Sequence, residues 1–242
     1  EWPKMRPVDR ERLLLRLADL VEANAQELAE IEALDNGKPV TMARAVDLAL
    51  MVDFLRYMAG WATKLEGSTM EVSVPLVRNR EFFGFTRREP VGVEGAIIPW
   101  NFPQLMTRVS LELGGKSPVI VLDAADPAVA AAGAAQAIFF NQGQVCCAGS
   151  RLYVHKSRFE RVVEGLSEIA AGMKLGAGID PTTQIGPLVS ATQQQRVLGY
   201  IRSGFEQGAR ALAGGAAGEG EGYFVKPTVL VDTRDDMKVV RE

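Results

Sequence analysis

The chain has 242 residues, of which 47% are apolar and 24% charged, with a formal net charge of −3. That is enough chain for one or two cores, and too balanced a charge to single out a nucleic-acid or membrane-surface partner, so neither is expected. No apolar run approaches a membrane span, the charged start has no signal-peptide stretch, and two adjacent cysteines with one histidine make no disulfide framework or metal-ligand set. A cytoplasmic protein without a metal is the expectation.

In chain order, Asp9 stands where an N-cap is wanted for a helix with Leu13, Leu14, Leu17, Leu20 and Val21 on one face. A second helix is expected from about Asn24, with Glu27 three residues on, to the breaker run Asp35-Asn36-Gly37-Lys38-Pro39. A third is expected over residues 41–67, its stripe of Val46, Leu50, Phe54, Met58 and Trp61 facing a core rather than a cofactor. Residues 1–67 therefore read as a helical layer. From Ser68 the period shortens, and residues 70–74 and 81–88 read as the strands of a hairpin spanning 68–90. Its arginines, Arg78, Arg80, Arg87 and Arg88, read as a solvated face, and its open edge is a place for another chain to pair. Residues 91–98 read as a buried strand that runs into a loop at Asn101.

Further on, residues 118–122 read as a strand, 127–140 as an alanine-rich helix, 151–155 as a strand and 158–172 as a helix. Such alternation predicts a parallel α/β arrangement. His155 closes a strand and reads as structural. Residues 174–179 read as a loop rather than a phosphate cradle, residues 192–207 as a helix, and the glycine-rich run from Gly214 to Gly222 as a surface turn before residues 223–231.

Chemistry concentrates in Phe139-Phe140-Asn141-Gln142-Gly143-Gln144-Val145-Cys146-Cys147-Ala148-Gly149-Ser150 and in Leu111-Glu112-Leu113-Gly114-Gly115-Lys116 before it. A thiol between Gly143 and Gly149 sits where backbone can come close to a substrate, and Glu112 beside two glycines offers a carboxylate on an uncluttered turn. Nucleophile and base is one reading. A free cysteine serving as a small core hydrophobe is the other, and residue type alone favours the latter.

The cysteine run resembles the nucleophile signature of the NAD(P)-dependent aldehyde dehydrogenase superfamily, Leu-Glu-Leu-Gly-Gly-Lys-Ser-Pro resembles its glutamate signature, and Ile98-Pro99-Trp100-Asn101-Phe102-Pro103 resembles its asparagine motif. The resemblance implies an α/β fold, a parallel catalytic domain with an N-terminal helical layer, a hairpin and a remnant of the dinucleotide-binding domain. The corresponding boundaries are residues 1–67 for the helical part of the coenzyme domain, 68–90 for an oligomerisation-type hairpin, 91–110 for the dinucleotide-binding remnant and 111–242 for a catalytic domain incomplete at its C-terminal end. It implies Cys146, rather than Cys147, as nucleophile, Asn101 as oxyanion donor and Glu112 as the acid that releases product. It also implies Ile97, Pro99, Trp100, Leu113 and Gly114 at the cofactor, NAD or NADP, and Phe102, Met106 and Val145 along a tunnel for an apolar or aromatic aldehyde. The hairpin implies a homo-oligomer, or association with a full-length homologue.

One departure is large. The family places on the order of a hundred residues, most of its dinucleotide-binding sheet, between the asparagine and glutamate motifs, and here only Gln104 to Ser110 stand between Pro103 and Leu111. Most of the NAD site is therefore expected to be missing, along with the family's second acidic motif and C-terminal strand. Aldehyde oxidation through a cysteine thiohemiacetal and thioester is the reaction the resemblance implies. A cofactor-independent thiol esterase, and a non-catalytic shortened member acting by association, remain open beside it.

Overall fold

The computed structural model describes residues 2–72, 82–90, 92, 98–101 and 114–242. The strand expected over 91–98 lies almost wholly outside the described residues.

Helix α1 (Pro7–Ala23) opens on Pro7, whose fixed φ suits the first helical turn. It therefore starts before Asp9, which does not cap it and instead accepts from Arg6 Nε at 2.7 Å. Asn24 does precede α2 (Ala25–Asn36), but its side-chain amide donates back to the Leu20 carbonyl rather than capping the new helix. Gly37, at φ 83°, ends α2 in the left-handed conformation that glycine adopts freely. After it, α3 (Val40–Met42), a π-helical turn (Ala43–Leu48) and α4 (Ala49–Trp61) follow without a break.

These helices meet through small residues. Ala18 and Val21 of α1 pack against Leu48 and Val52, and Ala29 and Ala33 of α2 pack with Val40 and Ala43. The expected apolar stripes are contact faces only in part: Val21 is buried, whereas Leu13, Leu17 and Leu20 of α1, and Leu50, Met58 and Trp61 along α4, are exposed. The physical reason is distance. Alanine lets two helix axes approach closely, and the larger side chains flank the contact instead of filling it.

Strands β1 (Thr69–Glu71) and β2 (Phe83–Phe85) form the expected antiparallel pair, Met70 opposite Gly84, shorter than the sequence pattern predicts. In the C-terminal part, β3 (Pro118–Val121) and β4 (Arg151–Val154) pair in parallel, Pro118 opposite Arg151, with α5 (Pro127–Phe139) crossing between them. Asp126 caps α5, accepting from the amides of Ala128 and Val129 at 2.9 and 3.0 Å. Helix α6 (Phe159–Gly172) lays Leu166 and Ala170 on Ala131, Ala134, Ala135 and Phe139 of α5, the largest core cluster among the described residues. Helix α7 (Ala191–Glu206), the antiparallel pair β5 (Arg210–Ala213) and β6 (Val229–Val231), and the short α8 (Lys238–Arg241) complete the region. The pattern gave no sign of β5, a four-residue strand rich in alanine.

Candidate functional site

The cysteine loop begins where α5 ends. Asn141, Gln142 and Gly143 all take positive φ, 45°, 56° and 74°, turning the chain back on itself. Asparagine and glycine tolerate this well; glutamine does so at a cost of about 1 kcal/mol or more, so the surroundings must hold it. Gln144, nearly buried, is one such hold: its amide donates to the Asn141 carbonyl at 2.9 Å and its side-chain oxygen accepts from Val189 N at 3.2 Å.

Val145 to Ala148 then form a tight turn, Ala148 N donating to the Val145 carbonyl at 3.1 Å, with Cys146 and Cys147 at its two central positions. Both thiols are free and exposed, so neither is the small core hydrophobe that residue type favours. Gly149 follows, and its role differs from the sequence-based reading. A Cβ there would lie 2.4 Å from Val119 and 3.1 Å from Ala137, while its amide donates to the Ala137 carbonyl. It serves close packing of the loop onto α5 and β3 rather than approach to a substrate.

Asn101 comes to this loop from outside the C-terminal region. Its side-chain amide donates to the Gln144 carbonyl at 2.8 Å, two residues before Cys146. An asparagine amide has two N–H donors, so this bond leaves a second for another acceptor. The Asn101 carbonyl in turn accepts from Lys38 Nζ at 2.7 Å, and the preceding Trp100 carbonyl accepts from Asn36 Nδ2 at 3.3 Å. Lys38 is fully buried, with Glu32 at 2.7 Å and Asp47 at 2.8 Å. Burial pushes the Asp47 carboxyl up to about 6 against the opposing pull of Lys38.

Glu112, Phe102, Met106, Ile97 and Leu113 lie outside the described residues. Val145 is half-buried beside the thiol turn. The described end of the glutamate motif, residues 114–117, leads into β3, and residues 148–150 lead into β4; parallel pairing puts both leads at the same end of the sheet. Arg151 Nε donates to the Lys116 carbonyl at 2.8 Å across that end. Lys116 itself donates to the Val239 carbonyl, and burial, with a smaller push from Arg151, lowers its pKa.

Of the residues assigned to a cofactor, Pro99, Trp100 and Gly114 are described and all are exposed. A Cβ at Gly114 would meet nothing within 4 Å, Pro99 has no amide hydrogen, and the Trp100 carbonyl is already bound. Among the described residues, these three make no enclosing cradle for a dinucleotide. A cavity of about 700 Å³, lined by Phe159, Leu166, Tyr200 and Val229 among others, also reaches Lys116 of the glutamate motif and Gln142, Gly143, Gly149 and Ser150 of the cysteine loop, while Cys146 and Asn101 do not line it.

Sequence reasoning missed Lys38, Asn36 and Gln144. The first two sat inside what read only as a helix stop. A lysine placed between a turn glycine and a proline, with acids on the flanking helices, was the available signal.

The model of the aldehyde dehydrogenase family matches residues 1–108 and, separately, 104–242. The chain is 38% identical to a phenylacetaldehyde dehydrogenase from Pseudomonas fluorescens, covering 96% of this chain and 64% of that protein. With the human mitochondrial aldehyde dehydrogenase the identity is 34%, over all of this chain and 62% of the relative. That alignment runs over 329 positions, against 242 residues here. Among solved structures, a variant of an aldehyde dehydrogenase from Bacillus cereus superimposes with a TM-score of 0.90 at 36% identity, covering 100% of this chain and 66% of the other, and an NAD+ complex from the same organism with 0.87. The chain thus spans less than two thirds of the length of these curated relatives. The family match divides at residues 104–108, where the sequence departs from the expected motif spacing.

Proposed function

From the premise that this chain belongs to the aldehyde dehydrogenase family, we propose that it carries the thiol half of that family's site, with Cys146 as nucleophile, Asn101 as oxyanion donor and Glu112 as the deacylating base. The observation that supports this best is the 2.8 Å bond from the Asn101 amide to the Gln144 carbonyl. It holds the asparagine motif against the cysteine loop although 43 positions separate the two residues.

Cys146 attacks as the thiolate. The carbonyl oxygen of the substrate takes up negative charge, and the second Asn101 N–H and a backbone amide of the thiol turn receive it; one such donor is typically worth about 10²- to 10³-fold in rate. With an activated ester the alkoxide or phenoxide leaves, a thioester forms on Cys146, and water deprotonated by Glu112 releases the acid and the thiol. Family relatives oxidise aldehydes with NAD(P), and an aldehyde is the substrate class proposed here. Apolar Phe102, Met106 and Val145, and the resemblance to a phenylacetaldehyde dehydrogenase, favour an apolar or aromatic one. Of the two reactions, ester hydrolysis is the one that Cys146, Asn101 and Glu112 can complete without a cofactor.

Nitrophenyl acetate hydrolysis tests the reading. Cys146→Ala is expected to abolish it, Cys147→Ala to spare it, and Glu112→Gln to keep the first burst of nitrophenolate while slowing later turnover. Hydrolysis untouched by Cys146→Ala would sink the assignment. Robust NADH production from an aldehyde would show instead that the chain, alone or with a partner, completes a cofactor site.

A second reading has its own observation. Phe83 and Phe85 are 77% and 65% exposed on a two-stranded hairpin, so association through this edge, as a homo-oligomer or with a full-length homologue, is proposed alongside catalysis. Light scattering on the purified chain, alone and mixed with a homologue, decides it; a monomer that ignores the homologue removes this role.

A further inference from the structure

Lys38 is the largest fully buried side chain among the described residues, and no part of the chemistry above uses it. An ammonium has three N–H donors. Here they meet Glu32 Oε1 at 2.7 Å, Asp47 Oδ1 at 2.8 Å and the Asn101 carbonyl at 2.7 Å. Two of these acceptors belong to the helices beside Lys38; the third belongs to a residue 63 positions away that carries the oxyanion amide.

The geometry around the contact is directional. Asn36 Oδ1 fixes the Lys38 amide at 2.8 Å, and Asn36 Nδ2 reaches the Trp100 carbonyl, so one turn grips two successive carbonyls of the Asn101 loop. On the far side, the Asn101 side chain is fastened to Gln144. Asn101 is thus held by its backbone from one region and by its side chain from another, which leaves its amide little freedom. An apolar cluster of the same volume often supports a fold as well as a buried ion group does. Holding a carbonyl at a fixed point is something an apolar cluster does not do.

We propose that Lys38, fixed by Glu32 and Asp47, is a positioning residue for Asn101, orienting the oxyanion amide toward Cys146 through the Asn101 backbone carbonyl. The inference rests on Asn101 acting as oxyanion donor, and the test separates the two. In nitrophenyl acetate hydrolysis, Asn101→Ala alone examines the donor role; an unchanged rate defeats that role and this inference with it. If Asn101→Ala is slow, Lys38→Met is expected to lower kcat about tenfold or more with KM little changed. The double variant is then expected to be no slower than Asn101→Ala, because Lys38 acts only through that amide. Losses that multiply, or a Lys38→Met variant with normal kcat, overturn the proposal while leaving the donor role standing.

Should Lys38→Met fail to fold, Lys38→Met with Glu32→Gln and Asp47→Asn removes the unpaired charges and serves in its place. A measurement independent of turnover uses asparagine-selective 15N labelling, since the chain has only five asparagines. The Asn101 side-chain amide resonances are expected to shift and broaden in the Lys38 variant while those of Asn24 stay in place. An unmoved Asn101 signal overturns the proposal.

Discussion

The helical layer of α1 to α4 and the α/β region from β3 onward meet at Asn101 and are held by opposite means. The α/β region has an apolar centre, Phe139 and the alanines of α5 against Leu166 and Ala170, and it fixes the thiol turn through left-handed backbone and the hydrogen bonds of Gln144. The helical layer has thinner apolar contacts and, at its centre, Lys38, Glu32 and Asp47. One half of the candidate site therefore depends on shape and the other on charge. A site built this way has two separate failure modes, and each can be provoked without the other.

The largest effect is expected at the seam between them. A Cβ on Gly186 would stand 1.9 Å from the Gly37 carbonyl oxygen, a backbone atom unable to step aside. Gly186→Ala should cost about 3 kcal/mol or more in urea unfolding, because the two regions must separate to admit one methyl group. Unchanged stability would mean that the regions do not pack as described. Gly149→Ala comes next and stays inside the α/β region, where Val119 and Ala137 crowd the added carbon. It should cost about 1–3 kcal/mol and reduce the rate at which iodoacetamide labels Cys146, read by peptide mapping.

The pH dependence sharpens the comparison, because the two regions should respond with opposite sign. Asp47 has a folded pKa of about 6, above its unfolded value, so its stabilising share is full below about pH 4 and is lost as pH rises through 6. Asp180, in the loop before α7, is held down to about 2, first by Thr182 and then by Lys174. Its share is present above about pH 4 and is lost as pH falls through 2. Asp47→Asn should flatten the decline in urea midpoint between pH 4 and 6, and Asp180→Asn the rise between pH 2 and 4. A variant that leaves its own limb intact contradicts the charge placement. The smallest effect is the cap on α5: Asp126→Ala should cost about 1 kcal/mol in the same measurement.

Much of the α/β region could be read from the sequence. The expected β3, α5, β4, α6 and α7 all form, each bounded by a signal with a local cause, such as the Asp126-Pro127 start of α5. The motif resemblance and the break in motif spacing are matched by the family comparison. What the pattern misjudged was the helical layer. Hydrophobic periodicity marks a face rich in large side chains, whereas the contact faces here carry Ala18, Ala29, Ala33 and Ala43, whose small size is the reason they fit. For the site, the Asn101 and Cys146 loops were recognisable as motifs, but the connection through Lys38 was not. It joins residues 63 apart through a backbone carbonyl, which no side-chain pattern encodes.

The π-helical turn Ala43–Leu48 carries a consequence for descent. Such a turn holds about one residue more than an α-helical turn of the same span, and one residue amounts to roughly 100° of rotation. A lineage that lost a single residue here would tighten the turn into ordinary α-helix, keep α4 in phase with α1, and so pay little in folding. Should the residue lost be Asp47 itself, which lies inside this turn, Lys38 would lose one of its two carboxylates. That one-residue deletion, a commonplace event in gene history, would thus spare the helix and remove one support of Asn101, which makes helix length at this point a heritable setting on the site rather than a detail of the scaffold.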